Sequence, residues 1–328
     1  MKPLTSIKTY PLPQLSDAAF VTDGGIETTL IFHEGLDLPY FAAFVLLRDS
    51  AGRAALRKYF RTYATLAREY NTGLILESPT WRANPDWAEK LGYTPQELVE
   101  NNRNAIGLLH EIREEFESPT TPIVISGCVG PRGDGYEPSA IMTAQEAARY
   151  HGPQIQTYRD AGADLVTAIT MNYVEEALGI ADAAAALDIP SVISFTLETD
   201  GKLPTGQTLR EAIETVDAQA SRAPAYYMIN CVHPTHFSEI LRSGEPWLNR
   251  IRGLRANASC RSHAELNESP DLDEGNPTQL GQQYQELRRK LTNLTIFGGC
   301  CGTDDRHVEA ICQACLAGSP ASTAAPAL

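Results

Sequence analysis

The sequence predicts an α/β fold of the closed (β/α)8 type, and three observations predict it. Short β-branched or aromatic apolar runs alternate with longer amphipathic stretches, eight times, at a spacing of about forty residues. The first run is not followed by Gly-x-Gly-x-x-Gly, which weakens the rival reading of an open doubly wound sheet. The residues able to do chemistry fall just past the runs, at strand C-terminal ends, which form the active face of such a barrel.

The expected strands are 19–22, 73–77, 123–126, 164–169, 191–196, 226–230, 251–256 and 294–297. Helices are expected between them. The stretch 51–70 places Leu56, Tyr59, Phe60, Tyr63 and Leu66 on a 3.6-residue period. The stretch 94–116 opens with Thr94-Pro95-Gln96-Glu97, a capping box with proline at the first helical position. The others are 143–161, 174–187, 208–220, 235–243, 278–291 and 304–316. No Pro/Gly/Ser-rich linker divides the chain, so residues 1–316 are expected to form one barrel domain. Residues 317–328, small and proline-containing, are expected to be a flexible tail. The acidic stretch 257–277 is expected to be a βα loop over the barrel mouth.

Composition excludes several classes. Of 328 residues 43% are hydrophobic, ample for a core, and the net charge is −14 with no basic stretch to offset it. A nucleic-acid or anionic-membrane partner is therefore not expected. No apolar run is long enough to span a membrane. Met1-Lys2-Pro3-Leu4-Thr5-Ser6 lacks the apolar core of a signal peptide, so a cytoplasmic protein is expected. The 7 cysteines then read as thiols, metal ligands or core fillers rather than a disulfide framework. Small-molecule ligands are the expected partners, and a homo-oligomer is compatible with the sequence.

The expected active face carries Asp23-Gly24-Gly25 after the first strand and Glu77-Ser78 at the end of the second. Gly127-Cys128 follows the third strand and Glu198 the fifth. Asn230-Cys231 ends the sixth, and Gly298-Gly299-Cys300-Cys301-Gly302-Thr303 ends the eighth. Cys231, Cys300 and Cys301 converge on one soft metal if the barrel closes. Glycines beside the adjacent pair let the backbone crowd a metal without a Cβ clash. Zinc on three thiolates keeps one coordination position open, a catalytic rather than structural arrangement. Burial as small hydrophobes and a strained vicinal disulfide are the rival readings.

The remaining features carry paired readings. Cys312 and Cys315 share one face of the last amphipathic helix, which favours core packing over a second metal site. Cys260 is incidental, and Cys128 either lines the mouth or packs beneath it. Asp23-Gly24-Gly25 offers a carboxylate and a nest of amides to a zwitterion, or is simply a tight turn. His233 and His236 add a ligand or begin the next helix. Trp81 and Trp87 face a cation at the mouth or cover the rim.

At these residues the chain resembles the zinc-dependent homocysteine S-methyltransferase family, over essentially its whole length. The motifs are Thr22-Asp23-Gly24-Gly25-Ile26-Glu27-Thr28, Ser194-Phe195-Thr196 with Gly201-Lys202-Leu203-Pro204-Thr205-Gly206, Ile229-Asn230-Cys231, and Gly298-Gly299-Cys300-Cys301-Gly302-Thr303. The resemblance implies a (β/α)8 barrel and Zn2+ held by Cys231, Cys300 and Cys301. It implies transfer of a methyl group from a sulfonium, betaine or folate donor to homocysteine sulfur, giving methionine. Asp23, Gly24 and Gly25 match the segment that holds the amino acid, with Asn230, Thr170 and Asn172 as further candidate substrate contacts. One position departs. After the fourth strand the family usually carries Phe-Glu-Thr, whose Glu binds the substrate ammonium, whereas here Ile169 stands in Ala168-Ile169-Thr170-Met171-Asn172-Tyr173. An isoleucine cannot pair with an ammonium, and losing such a charge-assisted hydrogen bond costs roughly 1.5–3 kcal/mol. Asn172, Thr170 or Glu77 is the available substitute. A different thiol or selenol acceptor, or a non-catalytic zinc- or thiol-sensing barrel, is the alternative reading.

Overall fold

Eight parallel strands pair in chain order and close on themselves. The computed structural model describes residues 12–138, 141–267 and 271–316. The first residues, 1–11, and the expected tail at 317–328 lie outside the described residues. The strands are β1 (Phe20–Val21), β2 (Gly73–Glu77), β3 (Ile123–Val129), β4 (Leu165–Met171), β5 (Ser191–Phe195), β6 (Tyr227–Asn230), β7 (Ile251–Ala256) and β8 (Ile296–Gly299). β1 pairs with both β2 and β8, which seals the barrel.

Period-two alternation sorts the barrel interior into layers. Phe20, Ile75, Val124, Leu165, Val192, Met228 and Ile296 form an apolar floor. Two residues further along six of these strands stand Thr22, Glu77, Ser126, Thr167, Ser194 and Asn230, all buried. Arg255 joins them from β7, two residues past Gly253, where a Cβ would lie 2.5 Å from Met228 Sδ. The upper interior is therefore a buried polar layer, and the functional face rests on it. The larger core lies between the strands and the outer helices.

The helical ring follows the amphipathic stretches closely. Ser50–Glu69 buries Leu56, Tyr59, Phe60, Tyr63 and Leu66. Three helices begin with reciprocal Thr–Glu capping boxes, at Thr94 with Glu97, Thr143 with Glu146 and Thr208 with Glu211.

Four expectations need correction. The helix expected at 235–243 is only Pro234–Phe237, followed by turns to Gly244 at φ 91° and a 3-10 segment at Pro246–Arg250. Phe237 and Leu241 are buried and Ile240 packs on the core without a continuous helix, and Gly244 and Pro246 keep the later turns from extending it. β3 runs on to Val129, so Cys128 lies within the strand rather than after it. β4 reaches Met171 because a bulge between Ala168 and Met171 absorbs the irregular backbone, with Thr170 at φ 65°. β8 begins at Ile296 and ends at Gly299, two residues later than the apolar run suggests, so the strand delivers its glycines straight to Cys300. The described part of the 257–277 stretch reaches the mouth at Ala258 and His263, which bond the Cys301 and Cys231 carbonyls, and it carries a short helix at His263–Asn267.

Candidate metal centre and acceptor site

Cys231 follows β6 with φ 56°, a left-handed conformation that a residue with a side chain holds only when its surroundings fix it. Three hydrogen bonds do so. Its N–H donates to Arg255 O at 3.0 Å, and its carbonyl accepts from His263 Nε2 and from Thr196 Oγ1. On the other side, β8 delivers Cys300 through two glycines that have no room for a side chain. A Cβ on Gly298 would lie 1.9 Å from Thr22 Oγ1, and one on Gly299 would lie 2.0 Å from Thr303 Oγ1. Thr303 closes the turn, its N–H and hydroxyl both donating to Cys300 O. The 257–277 loop fixes Cys301, whose N–H donates to Asn257 Oδ1 at 3.1 Å and whose carbonyl accepts from Ala258 N at 3.0 Å.

The three sulfurs meet. Cys231 Sγ lies 2.9 Å from Cys300 Sγ and 3.4 Å from Cys301 Sγ, and all three lie within 4.8 Å of one another. Burial is graded from buried Cys231 through half-buried Cys300 to exposed Cys301, so the cluster opens towards solvent on one side. Hydrogen bonds from Cys231 and Cys301, with the Arg255 guanidinium nearby, hold the Cys300 thiol well below its usual range. Tetrahedral zinc with Zn–S bonds of about 2.3 Å would need the sulfurs only slightly further apart. The donor set, its spacing and its half-open burial all fit a thiolate-bound metal.

Tyr136 covers the remaining face. Its hydroxyl lies 2.9 Å from Cys231 Sγ and 3.7 Å from Cys301 Sγ. Its ring packs on His263 with centroids 3.9 Å apart. The loop that carries it is pinned at Asp134, which accepts from the Tyr136 and Glu137 N–H groups at Oδ1 and from Asn172 Nδ2 at its carbonyl. Sequence reasoning missed Tyr136, His263 and Arg255. Tyr136 sits in a loop and His263 at the start of a short helix, neither at a recognisable spacing. Arg255 was legible as a charged residue at an inward position of an apolar strand.

Beneath the thiols lies a buried charge cluster. Arg255 Nη2 is 2.7 Å from Asp23 Oδ1, and the Tyr59 hydroxyl donates to Asp23 Oδ2 at 2.8 Å. Arg255 also donates to Gly24 O and Gly299 O, tying the β1 turn to β8. The Gly25 N–H is already bonded to Thr303. Burial outweighs the guanidinium and pushes Asp23 above its usual value. Burial opposes the Arg255 cation, but Asp23 and Glu77 together outweigh it and hold its pKa above the usual value. Glu77 is 5% exposed, its Oε2 has no partner among the described residues, and burial pushes its pKa up to about 7. Glu27 is half-buried above the same cluster; burial first, then the negative charge of Cys300, lifts it to about 7.

Glu77 yields a stability prediction. The folded state keeps a proton on it that the unfolded chain releases near pH 4.5. Stability is therefore lost as pH rises from about 4.5 to about 7. Glu77→Gln should gain stability relative to wild type across that window, by on the order of 3 kcal/mol. Denaturant unfolding at both ends of the window checks this, and a pH-independent difference would contradict it.

The other candidate residues are placed as follows. Asn230 is fully buried and links three strands: its Oδ1 accepts from Thr170 N at 3.0 Å and Ser194 Oγ at 2.6 Å, and its Nδ2 donates to Thr170 Oγ1 at 2.8 Å. Asn230 and Thr170 thus hold the β4 bulge as a pair. Ile169 is buried beside it, and its carbonyl accepts from Trp81 Nε1 at 3.2 Å. Cys128 is buried in β3. Cys260 is exposed and its carbonyl faces His236 Nε2. His233 caps the short Pro234–Phe237 helix, and neither histidine joins the sulfur cluster. Trp81 and Trp87 do face a cation, but it is the chain's own Arg82.

Cys312 and Cys315 are buried in the last helix, away from the cluster, and burial pushes their thiols to about 12 and about 11. Cys312→Ser is therefore expected to leave metal content unchanged and to cost about 1 kcal/mol of stability. Metal analysis of the folded variant checks this. His33, Glu274 and Asp304 also cluster within 4.8 Å. Arg306 already bridges both carboxylates, and His307 bonds Asp304, so that group is an ion-pair network.

A sequence model of the homocysteine S-methyltransferase family matches residues 20–315. The chain belongs to that family. It is accordingly a methyltransferase, and small-molecule substrates follow from that. No curated protein matches the sequence. Among solved structures, the oxidized form of the Escherichia coli homocysteine methyltransferase MmuM aligns at TM-score 0.72 and 18% identity, covering 92% of this chain and 97% of that one. The metallated form of the same enzyme aligns at TM-score 0.69 and 18% identity, covering 90% and 96%. These likenesses establish the shared barrel. Among the described residues, no helix is long and apolar enough to cross a membrane.

Proposed function

We propose that this methyltransferase activates an acceptor thiol on zinc held by Cys231, Cys300 and Cys301. The observation that carries the reading is the meeting of three sulfurs, 2.9 and 3.4 Å from Cys231, at a half-open barrel mouth. Zinc, when bound there, would take the incoming sulfur as a thiolate, the reactive form of a thiol. The acceptor sulfur then bonds to the methyl carbon as the donor's bond to that carbon breaks. A sulfonium donor leaves as a neutral thioether and needs no proton.

The protein's own residues supply the setting. The backbones of Cys231 and Cys300 are fixed by hydrogen bonds at the two strand ends, which set their sulfurs at the mouth. Tyr136 and His263 cover the cluster and must yield the face that the acceptor occupies. Asp23 is engaged by Arg255 and Tyr59, so it acts as a fixed anion under the mouth rather than a free ligand group. Residues 1–316 act as one unit, and the reduced thiols suit a cytoplasmic setting. Homo-oligomer formation is compatible with this reading.

The same geometry favours an acceptor other than homocysteine. Ile169 offers no charge, and Asn172 offers only the neutral Oδ1 acceptor, its Nδ2 being bonded to the Asp134 carbonyl. Glu27 and Glu77 are the nearby acids, and both are lifted to about 7. Methyl transfer measured with a panel of thiols and donors tests the proposal. Homocysteine is expected to be a weak acceptor, and Ile169→Glu should improve its affinity by about ten- to a hundredfold. Micromolar KM for homocysteine in wild type, with no gain in the variant, would contradict this. Absence of zinc-dependent transfer to any thiol would remove the proposal itself.

A further inference from the structure

Arg82 is 8% exposed, yet its charge is poorly matched. Its guanidinium carbon lies 4.3 Å from the Trp81 ring centroid and 3.9 Å from that of Trp87. Aromatic faces hold the plane of a guanidinium and leave its edges for hydrogen bonds. Of its five donors, Nη1 reaches Gly133 O at 3.0 Å. Nη2 stands 3.9 Å from Asp134 Oδ2, a half-exposed carboxylate beyond hydrogen-bond reach. Nε is buried with no partner among the described residues. Lys90 Nζ adds a second cation 4.0 Å from the Trp87 ring.

Arg82 lies beside the loop that carries Tyr136 to the thiols, its Nη1 bonded to Gly133 O. Its electrostatic neighbours are Asp134, Tyr136 and Glu27. Tyr136 bonds Cys231, and Glu27 lies within the field of Cys300. Trp81, which holds one face of the guanidinium, is anchored on the Ile169 carbonyl. The wall that carries no acid at 169 thus presents a desolvated cation instead. Burial lowers the Arg82 pKa, the mark of a charge awaiting compensation. A planar carboxylate is the anion whose two oxygens match a guanidinium edge.

We infer that Arg82 is a specificity-determining residue that binds a carboxylate, and that the acceptor is a thiol carrying a carboxylate within reach of the sulfur. The inference rests on the thiol-activation reading above. Calorimetric titration of the zinc-loaded full chain with three probes separates the two. Mercaptopropionate carries both groups, its methyl ester only the thiol, and methylthiopropionate only the carboxylate. Wild type is expected to bind the acid about ten- to a hundredfold more tightly than the ester, the worth of a charge-assisted hydrogen bond. Arg82→Met should erase that gap without changing ester affinity, and Arg82→Lys should keep part of it, since an ammonium lacks the fork. Circular dichroism in the aromatic region controls for folding, and the wild-type comparison requires no variant. Equal affinity of wild type for acid and ester, or a gap that survives in folded Arg82→Met, would overturn the inference. Methylthiopropionate binding that is unchanged in folded Arg82→Met would also overturn it. Thiol binding that does not depend on zinc, with carboxylate preference intact, would sink the proposed function and leave the Arg82 assignment standing.

Discussion

Cys231→Ala and Cys300→Ala are each expected to reduce zinc from about one per chain to near none, with loss of methyl transfer. Each sulfur is set by its own backbone turn, so neither can be replaced by movement of a neighbour. Cys231 is the more severe case because its sulfur contacts both of the others. Two remaining thiols leave a site short of the three protein ligands that catalytic zinc requires. The fold should survive, since neither side chain fills the main core cluster. Inductively coupled plasma analysis of folded, chelator-washed protein reads the result. Full zinc retention in both variants would place the metal elsewhere.

The second large effect is structural. Arg255→Met is expected to destabilise the barrel by about 3–5 kcal/mol, the cost of removing one partner from a buried ion pair. Asp23 would keep its burial and lose the guanidinium 2.7 Å away, while Gly24 O and Gly299 O would lose a donor. The turn after β1 and the end of β8 would then come apart at the point that positions Cys300. Asp23→Asn in the same chain should recover a large part of the loss, because it removes the uncompensated charge. Chemical denaturation of the two variants measures this. A single variant as stable as wild type would show that the pair is screened by water and not buried.

Much of the barrel was legible because its strands are short apolar runs and its helices carry strong start signals. Thr94 and Glu97 form in space the box that they spell in sequence. Cys231, Cys300 and Cys301 were legible for a related reason: strand ends converge in a closed barrel, so position along the chain fixes position at the mouth. The substrate side was less legible. Asp23 reads as a ligand group, but its carboxylate is held by Arg255, a partner more than two hundred positions away in sequence. Asn230 and Thr170 read as substrate contacts, yet they bond each other across a bulge that no local pattern announces. Tyr136 reaches the thiols only because Asp134 and Asn172 shape its loop. Trp81 and Trp87 signalled a cation, and the cation lay between them in the sequence as Arg82. The helix expected at 235–243 stops at Phe237, although Phe237, Ile240 and Leu241 hold a helical spacing and pack inward.

The central claim is that three thiolates hold zinc with one position left for the acceptor. X-ray absorption at the zinc edge, taken with and without a bound thiol, tests it most directly. The account predicts three sulfur ligands at about 2.3 Å plus one lighter atom, becoming four sulfurs when the thiol binds. A sulfur count that stays at three on thiol binding, or that is already four in its absence, would contradict it.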